Sequence, residues 1–279
     1  MQREFMKMHG CGNDYIFFDC LTEPIAQPAA LSVRLSDRHF SIGGDGIVLI
    51  RPSDRADAAM RMFNADGSEG RMCGNAIRCV GKYLYDSGRC KKERLTVDTP
   101  SGVKTLSLTV RNGAVEAVRV DMGRASLRPA DLPVLWDGER VVDAPVSVDG
   151  RPWRITCVSM GNPHCVVFVG DVRPLDLERL GPPFERATLF PERVNTEFVH
   201  VADRHTLDMR VWERGSGETW ACGTGACASA VAAVENGFCP KDEDLLVRLR
   251  GGELTIRYTD ETVYMAGPAE LAFTGFVEL

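Results

Sequence analysis

Two hydrophobic periodicities alternate along the chain. Short apolar runs with strand character, Tyr15–Phe18 and Cys165–Phe168, each begin just after a Gly-Asn pair. Alternating apolar and polar positions predict further strands at Val103–Val110, Val115–Val120 and Glu253–Tyr258. A helical stripe replaces this pattern where Ile77, Val80 and Leu84 recur at i, i+3 and i+7. That helix is predicted to start near Cys73-Gly74-Asn75 and to stop at Gly88, a residue suited to the left-handed C′ position. A second helix follows Cys222. From Ala226 to Val234 no face carries a charge, so it is expected to be buried all round, with Gly237 as its stop. Shorter helical stretches are predicted around Leu31–Arg38 and Leu175–Leu180. Pro, Gly and Asp mark loops at Arg128–Pro133 and Asp137–Gly150. The closing run, Leu271–Leu279, reads as a strand left over after the second helix, free to complete the first domain's sheet.

These elements come in two copies. At an offset of 149 residues Gly12-Asn13 recurs as Gly161-Asn162, Glu69 as Glu218, Cys73-Gly74 as Cys222-Gly223, Gly88 as Gly237 and Gly102 as Gly251. One gapless offset across some 90 residues implies a duplicated unit. Two strand-rich units that each keep one long helix define an α+β class rather than a doubly wound parallel sheet. The expected domains are 1–122 with 271–279, and 123–270, with the active site in the cleft between them.

Composition narrows the function. The chain has 279 residues, 33 basic against 39 acidic, and a net charge of −6, which argues against nucleic acid as a main partner. No apolar run of 18 residues offers a membrane span. The N-terminus, with an acid at Glu4 and glycines soon after, does not read as an export signal, so a reducing, cytoplasmic compartment and thiols rather than disulfides are expected for the ten cysteines. Zinc is not expected, because only Cys222 and Cys227 have a ligand-like spacing and they lack a partner pair.

The chemistry gathers at the helix starts. Cys73 and Cys222 each sit where unpaired N–H groups and the positive dipole end favour a thiolate. The amides of Gly74-Asn75 and Gly223-Thr224 are placed to hold a carboxylate. Two thiols on opposite faces of a carbon beside a carboxylate suit racemisation or epimerisation, one removing a proton and the other returning one. No phosphate-binding glycine loop is present to hold a pyridoxal cofactor, and none is expected.

The segments Lys7-Met-His-Gly-Cys-Gly-Asn-Asp14, Phe63-Asn-Ala-Asp-Gly-Ser-Glu69, Cys73-Gly-Asn75, Gly161-Asn-Pro-His164 and Glu213-Arg-Gly-Ser-Gly-Glu-Thr-Trp-Ala-Cys-Gly-Thr-Gly-Ala-Cys227 resemble the diaminopimelate epimerases. The resemblance runs in order from residue 7 to Pro268. It implies a pyridoxal-independent isomerase that interconverts L,L- and meso-diaminopimelate for lysine and peptidoglycan precursors. It also implies two pseudo-symmetric domains, each a mixed, mostly antiparallel sheet rolled around a central helix, and a cytoplasmic homodimer. It assigns Cys73 and Cys222 as the acid/base pair, with His164 and Glu213 tuning them. Asn13, Asn64, Gly74, Asn75, Asn162, Asn195, Glu213, Arg214, Gly223 and Thr224 match substrate-contacting positions. Arg214 is suited to a distal carboxylate because a guanidinium binds one as a fork.

Simpler readings stand beside these. Asn13, Asn64 and Asn162 also suit turns, Arg214 a solvated surface and His164 a structural strand position; His9, His39, His200 and His205 are taken as structural or exposed. Three positions depart from the family pattern: Gly46, which falls opposite Asn195 in the repeat, Cys11 and Ala76. The alternatives are a two-cysteine racemase of the proline or hydroxyproline type, and a non-enzymatic thiol or metal-binding protein.

Overall fold

The computed structural model describes residues 2–279. The chain divides into two compact units, one of residues 1–121 with 266–279 and one of residues 122–265. Unit 1 contains β1 (Gln2–Gly10), β2 (Asn13–Asp19), α1 (Pro28–Ser36), β3 (Gly46–Arg51), β4 (Ala58–Asn64), β5 (Glu69–Gly70), α2 (Gly74–Asp86), β6 (Arg94–Thr99), β7 (Gly102–Arg111) and β8 (Ala114–Asp121). Unit 2 contains β9 (Ala144–Val148), β10 (Arg151–Ser159), β11 (Pro163–Phe168), α3 (Leu177–Glu185), β12 (Asn195–Asp203), β13 (Thr206–Glu213), β14 (Gly217–Thr219), α4 (Gly223–Glu235), β15 (Asp244–Leu249), β16 (Gly252–Tyr258) and, at its end, β17 (Val263–Gly267). The chain closes with β18 (Glu270–Glu278).

Both units are mixed sheets with the same connections. In unit 1, β1–β2, β3–β4 and β6–β7 are antiparallel, while β2–β3 and β4–β6 are parallel. In unit 2 the same sequence runs β10–β11, β12–β13 and β15–β16 antiparallel, with β11–β12 and β13–β15 parallel. A parallel pair needs a crossover, and the helices supply it. α1 and α3 span the first crossover of each unit, and α2 and α4 span the second. β18 pairs antiparallel with β1, the place β9 takes beside β10 in unit 2. The last strand thus returns to the first unit, as the leftover run predicts.

The central helices explain their compositions. α2 turns Ile77, Val80 and Leu84 onto buried strand residues that include Leu95, Leu106 and Val118. Gly81 lies so close to β7 that a Cβ there would come within 2.7 Å of Leu106. α4 packs against β10, β11, β12, β13, β15 and β16, and Ala226–Ala233 are buried without interruption. Small side chains let strands approach from every side, at little cost in helix propensity. The opposite sheet faces carry α1, over Ile16, Phe18, Ile47 and Leu49, and α3, whose Phe184 meets Phe198 and Trp153 edge to face.

Four local expectations change. The first short helix is shifted earlier, to Pro28–Ser36, because Pro28 fits a first-turn position where no N–H is needed. The second spans Leu177–Glu185, since Asp176 caps it by accepting the Arg179 N–H. The predicted loop 137–150 contains β9, and loop 128–133 contains a 3-10 turn at Pro129–Asp131. The β9 strand was masked by its flanking Asp and Gly residues, and it forms by pairing with β10.

Candidate active site

Cys73 and Cys222 occupy the same place in the two units: each is the N-cap of the central helix, in extended conformation. Gly88 and Gly237 follow the helix ends with positive φ, as a left-handed stop requires. Among the described residues no disulfide joins any of the ten cysteines, and no cluster of three His, Cys, Asp or Glu residues is arranged to hold a metal.

In unit 1 the Cys73 thiol donates to Asn13 Oδ1 at 3.3 Å, and Asn75 Nδ2 donates to the same oxygen at 3.2 Å. Asn13 Nδ2 donates to Asp45 Oδ2 at 2.7 Å. The Asn13 side chain therefore links the cysteine to a polar cluster, in addition to occupying a turn. That cluster joins Asp14 to Lys7 at 2.5 Å and to Arg38 at 2.6 Å, and Arg38 to Asp45 at 2.9 Å. Burial raises the Asp45 carboxyl, and the neighbouring Asp14 adds to the effect. Below the helix start, the fully buried Arg78 donates Nη1 to Gly74 O at 3.2 Å and Nε to Pro268 O at 3.1 Å. Asn64 is separate from this network, donating Nδ2 to Ser68 Oγ at 3.0 Å within its own turn.

Unit 2 brings together more ionisable groups. Gly225 N–H donates to Cys222 Sγ at 3.4 Å, and the Thr224 hydroxyl lies 3.5 Å from the same sulfur. Asn162 Nδ2 donates to Thr224 Oγ1 at 3.4 Å. Asn162 Oδ1 faces His164 Nε2 at 3.1 Å, and His164 Nδ1 faces Glu197 Oε1 at 2.7 Å. Glu213 takes hydrogen bonds from the Thr219 hydroxyl and the Cys222 thiol. Burial raises the Glu213 carboxyl above the usual carboxylate range.

The expectation that each helix start lowers its thiol is corrected for Cys222. Burial pushes that thiol well above its ordinary range, and the charges of Glu213 and Glu197 push it further. The donors at Thr224 and Gly225 oppose this without reversing it. Loss of solvation for a charge exceeds what one helix end returns.

Asn195 and Arg214 meet one another. Asn195 Oδ1 accepts the Arg214 backbone N–H at 2.9 Å, while its Nδ2 donates to Pro163 O at 2.9 Å. Arg214 Nη1 donates to Glu192 O at 3.1 Å. At the position equivalent to Asn195, Gly46 has a positive φ, and a Cβ there would lie 2.0 Å from Phe63 O. No side chain fits, which accounts for this departure. Two residues of this environment escape sequence reasoning: Asp45 and Glu197. Asp45 sits in a glycine loop and Glu197 in a strand of mixed polarity, and only the pairing of β11 with β12 brings Glu197 to His164.

The fold is shared with a crystallised epimerase of low sequence identity. A crystal structure of a hydroxyproline epimerase from Agrobacterium vitis superposes with a TM-score of 0.73 over 99% of this chain and 92% of that one, at 15% identity. A family model for diaminopimelate epimerase matches residues 5–128 and 156–272. The diaminopimelate epimerase of Agathobacter rectalis is 52% identical over 99% of both chains. That of Acetivibrio thermocellus is 53% identical over 99% of this chain and 98% of its own. The chain belongs to the diaminopimelate epimerase family, a family of isomerases. Among the described residues no helix is long and apolar enough to cross a membrane.

Proposed function

We propose that this protein interconverts L,L- and meso-diaminopimelate by two-base proton transfer without a cofactor, in the lysine and peptidoglycan precursor route of the cytoplasm. The observation that carries the reading is the matched pair of cysteine N-caps, one in each repeat, within a chain about half identical to diaminopimelate epimerases over its length. In each cycle one thiolate takes the α proton and the other thiol returns one to the opposite face, so sulfur protonation is exchanged between Cys73 and Cys222. First-turn amides at Gly74-Asn75 and Gly223-Thr224 hold the α-carboxylate and stabilise the charge it gains in the carbanionic transition state. Asn13, Asn64, Asn162, Asn195, Glu213 and Arg214 read the ammonium and carboxylate groups. His164 and Glu213 adjust Cys222, and the thiol-to-Glu213 hydrogen bond supports that role.

The direct test is incubation with each isomer in deuterated water. Deuterium should enter the α position together with isomer interconversion, and proline should give neither. Activity on proline with none on diaminopimelate would select the proline racemase alternative. A homodimer is part of the same reading. Its support is the exposed apolar side chains of β18, Leu271, Phe273 and Phe276. Sedimentation should give about twice the 30.7 kDa chain mass.

A further inference from the structure

Glu197 has no place in the mechanism just described, yet it is a fully buried carboxyl close enough to act on Cys222. It stands on β12 between Thr196 and Phe198 and is fully buried. Its Oε1 bonds His164, also fully buried, while its Oε2 has no hydrogen-bond partner among the described residues. A carboxyl placed this way is expensive unless it serves a purpose. It is also accommodated by its neighbours. A Cβ at Gly225 would lie 2.6 Å from Glu197 Oε1, so the first turn of α4 must carry glycine where the carboxyl rests.

The direction of the hydrogen bonds identifies that purpose. Asn162 donates its amide N–H to Thr224, so its carbonyl oxygen faces His164 Nε2. A carbonyl only accepts, so His164 carries a hydrogen on Nε2. The 2.7 Å contact between His164 Nδ1 and Glu197 Oε1 is the ring's other hydrogen bond and fixes its orientation. Because Thr224 Oγ1 accepts from Asn162, its own hydrogen is left to point at Cys222 Sγ. Reversing the His164 ring protons would turn the Asn162 amide over. Thr224 would then donate to Asn162 and leave the sulfur.

We propose that Glu197 is a positioning residue for the Cys222 half of the reaction. It locks His164 with its hydrogen on Nε2 and, through Asn162, keeps the Thr224 hydroxyl aimed at the sulfur. Without Glu197 the Cys222 thiolate loses a donor in the step that forms it. This rests on the assignment of Cys222 as an acid/base residue.

The test pairs ring spectroscopy with kinetics. In 15N-histidine NMR, with the His164 signals identified by their loss in His164→Gln, the wild-type protein should show a protonated Nε2. Glu197→Gln offers Nδ1 an amide partner in the same place, so it should keep that signal and a kcat within about threefold of wild type. Glu197→Leu offers no partner to Nδ1, and should lose the fixed ring state and about tenfold in kcat, the scale of one hydrogen bond to a charged group. A wild-type ring protonated only on Nδ1 overturns the proposal. So does Glu197→Leu with wild-type turnover, or Glu197→Gln as slow as Glu197→Leu when both melt cooperatively. If Glu197→Leu does not fold, the wild-type and Glu197→Gln spectra decide. The spectra need no substrate, so their outcome is separate from whether the protein epimerises diaminopimelate.

Discussion

Around Cys73 the sulfur meets a neutral amide, Asn13, and the buried guanidinium of Arg78 lies beneath the helix start. Around Cys222 it meets carboxylates: Glu213 shares its proton and Glu197 lies behind His164. Both sulfurs have the same backbone setting, an extended N-cap followed by glycine. At the 149-residue offset the unit 1 counterparts of His164, Glu197 and Glu213 are Tyr15, Val48 and Asn64, and Arg78 falls opposite Cys227. Duplication has kept the devices that shape the helix start, while the charges around it have diverged. Burial and neighbouring carboxylates favour the protonated form of the Cys222 thiol. Symmetry of backbone therefore does not imply symmetry of the charges around it.

The largest effect that can break this comparison is loss of either sulfur. Cys73→Ala and Cys222→Ala should each lower epimerisation by about a thousandfold or more, within the range expected for an acid/base group. The measurement is isomer interconversion by chiral chromatography, and a wild-type rate in either variant ends the two-base reading.

Next come the equivalent third helix positions, Ala76 and Gly225. Gly225→Ala drives a methyl group into Glu197 Oε1 and towards Cys222 Cβ. It should cost about 1–3 kcal/mol of stability, as overpacking does, and about tenfold in kcat. Ala76→Gly, its mirror change, should cost only about 0.5–1 kcal/mol and leave turnover near wild type. Urea unfolding and steady-state kinetics read both, and equal losses in the two units would erase the asymmetry.

Alkylation sharpens the electrostatic side. The raised Cys222 thiol holds little thiolate until the pH passes 9. At pH 8 iodoacetamide should therefore label Cys222 at least about tenfold more slowly than an ordinary thiol, with the rate rising as pH rises. Peptide mass spectrometry gives the rate, and fast labelling at pH 7 contradicts the protonated resting state.

The smallest effect concerns the unit 1 ion cluster. Burial alone raises the Asp14 carboxyl, but Arg38 and Lys7 more than offset it, and its pKa is lowered. Its folded value lies below the unfolded value of about 3.9. The stabilisation is therefore fully present above that pH and is lost as pH falls through the folded value. Asp14→Asn should be less stable by about 1 kcal/mol near neutrality, and its melting temperature should fall less than that of wild type on acidification from pH 5 to 3.

Much of this molecule is legible in one dimension. The 149-residue repeat, the Ile77-Val80-Leu84 stripe, the charge-free run of α4 and the glycine stops are local signals, because helix caps and periodicity depend on neighbours in sequence. They define two strand-rich units and put a cysteine at each helix start. The β9 strand was not legible, since its pairing with β10 outweighs flanking residues that favour a turn. Neither was Glu197: in sequence it is one acid in a strand, and the parallel register of β12 on β11 sets it against His164. The sign of the Cys222 shift is likewise a tertiary property. A helix N-terminus is written in the sequence, but burial and the carboxylates of two different strands decide whether its thiol is charged. Solvation and through-space charge depend on which residues meet, and that is settled only when the sheet closes around the helix.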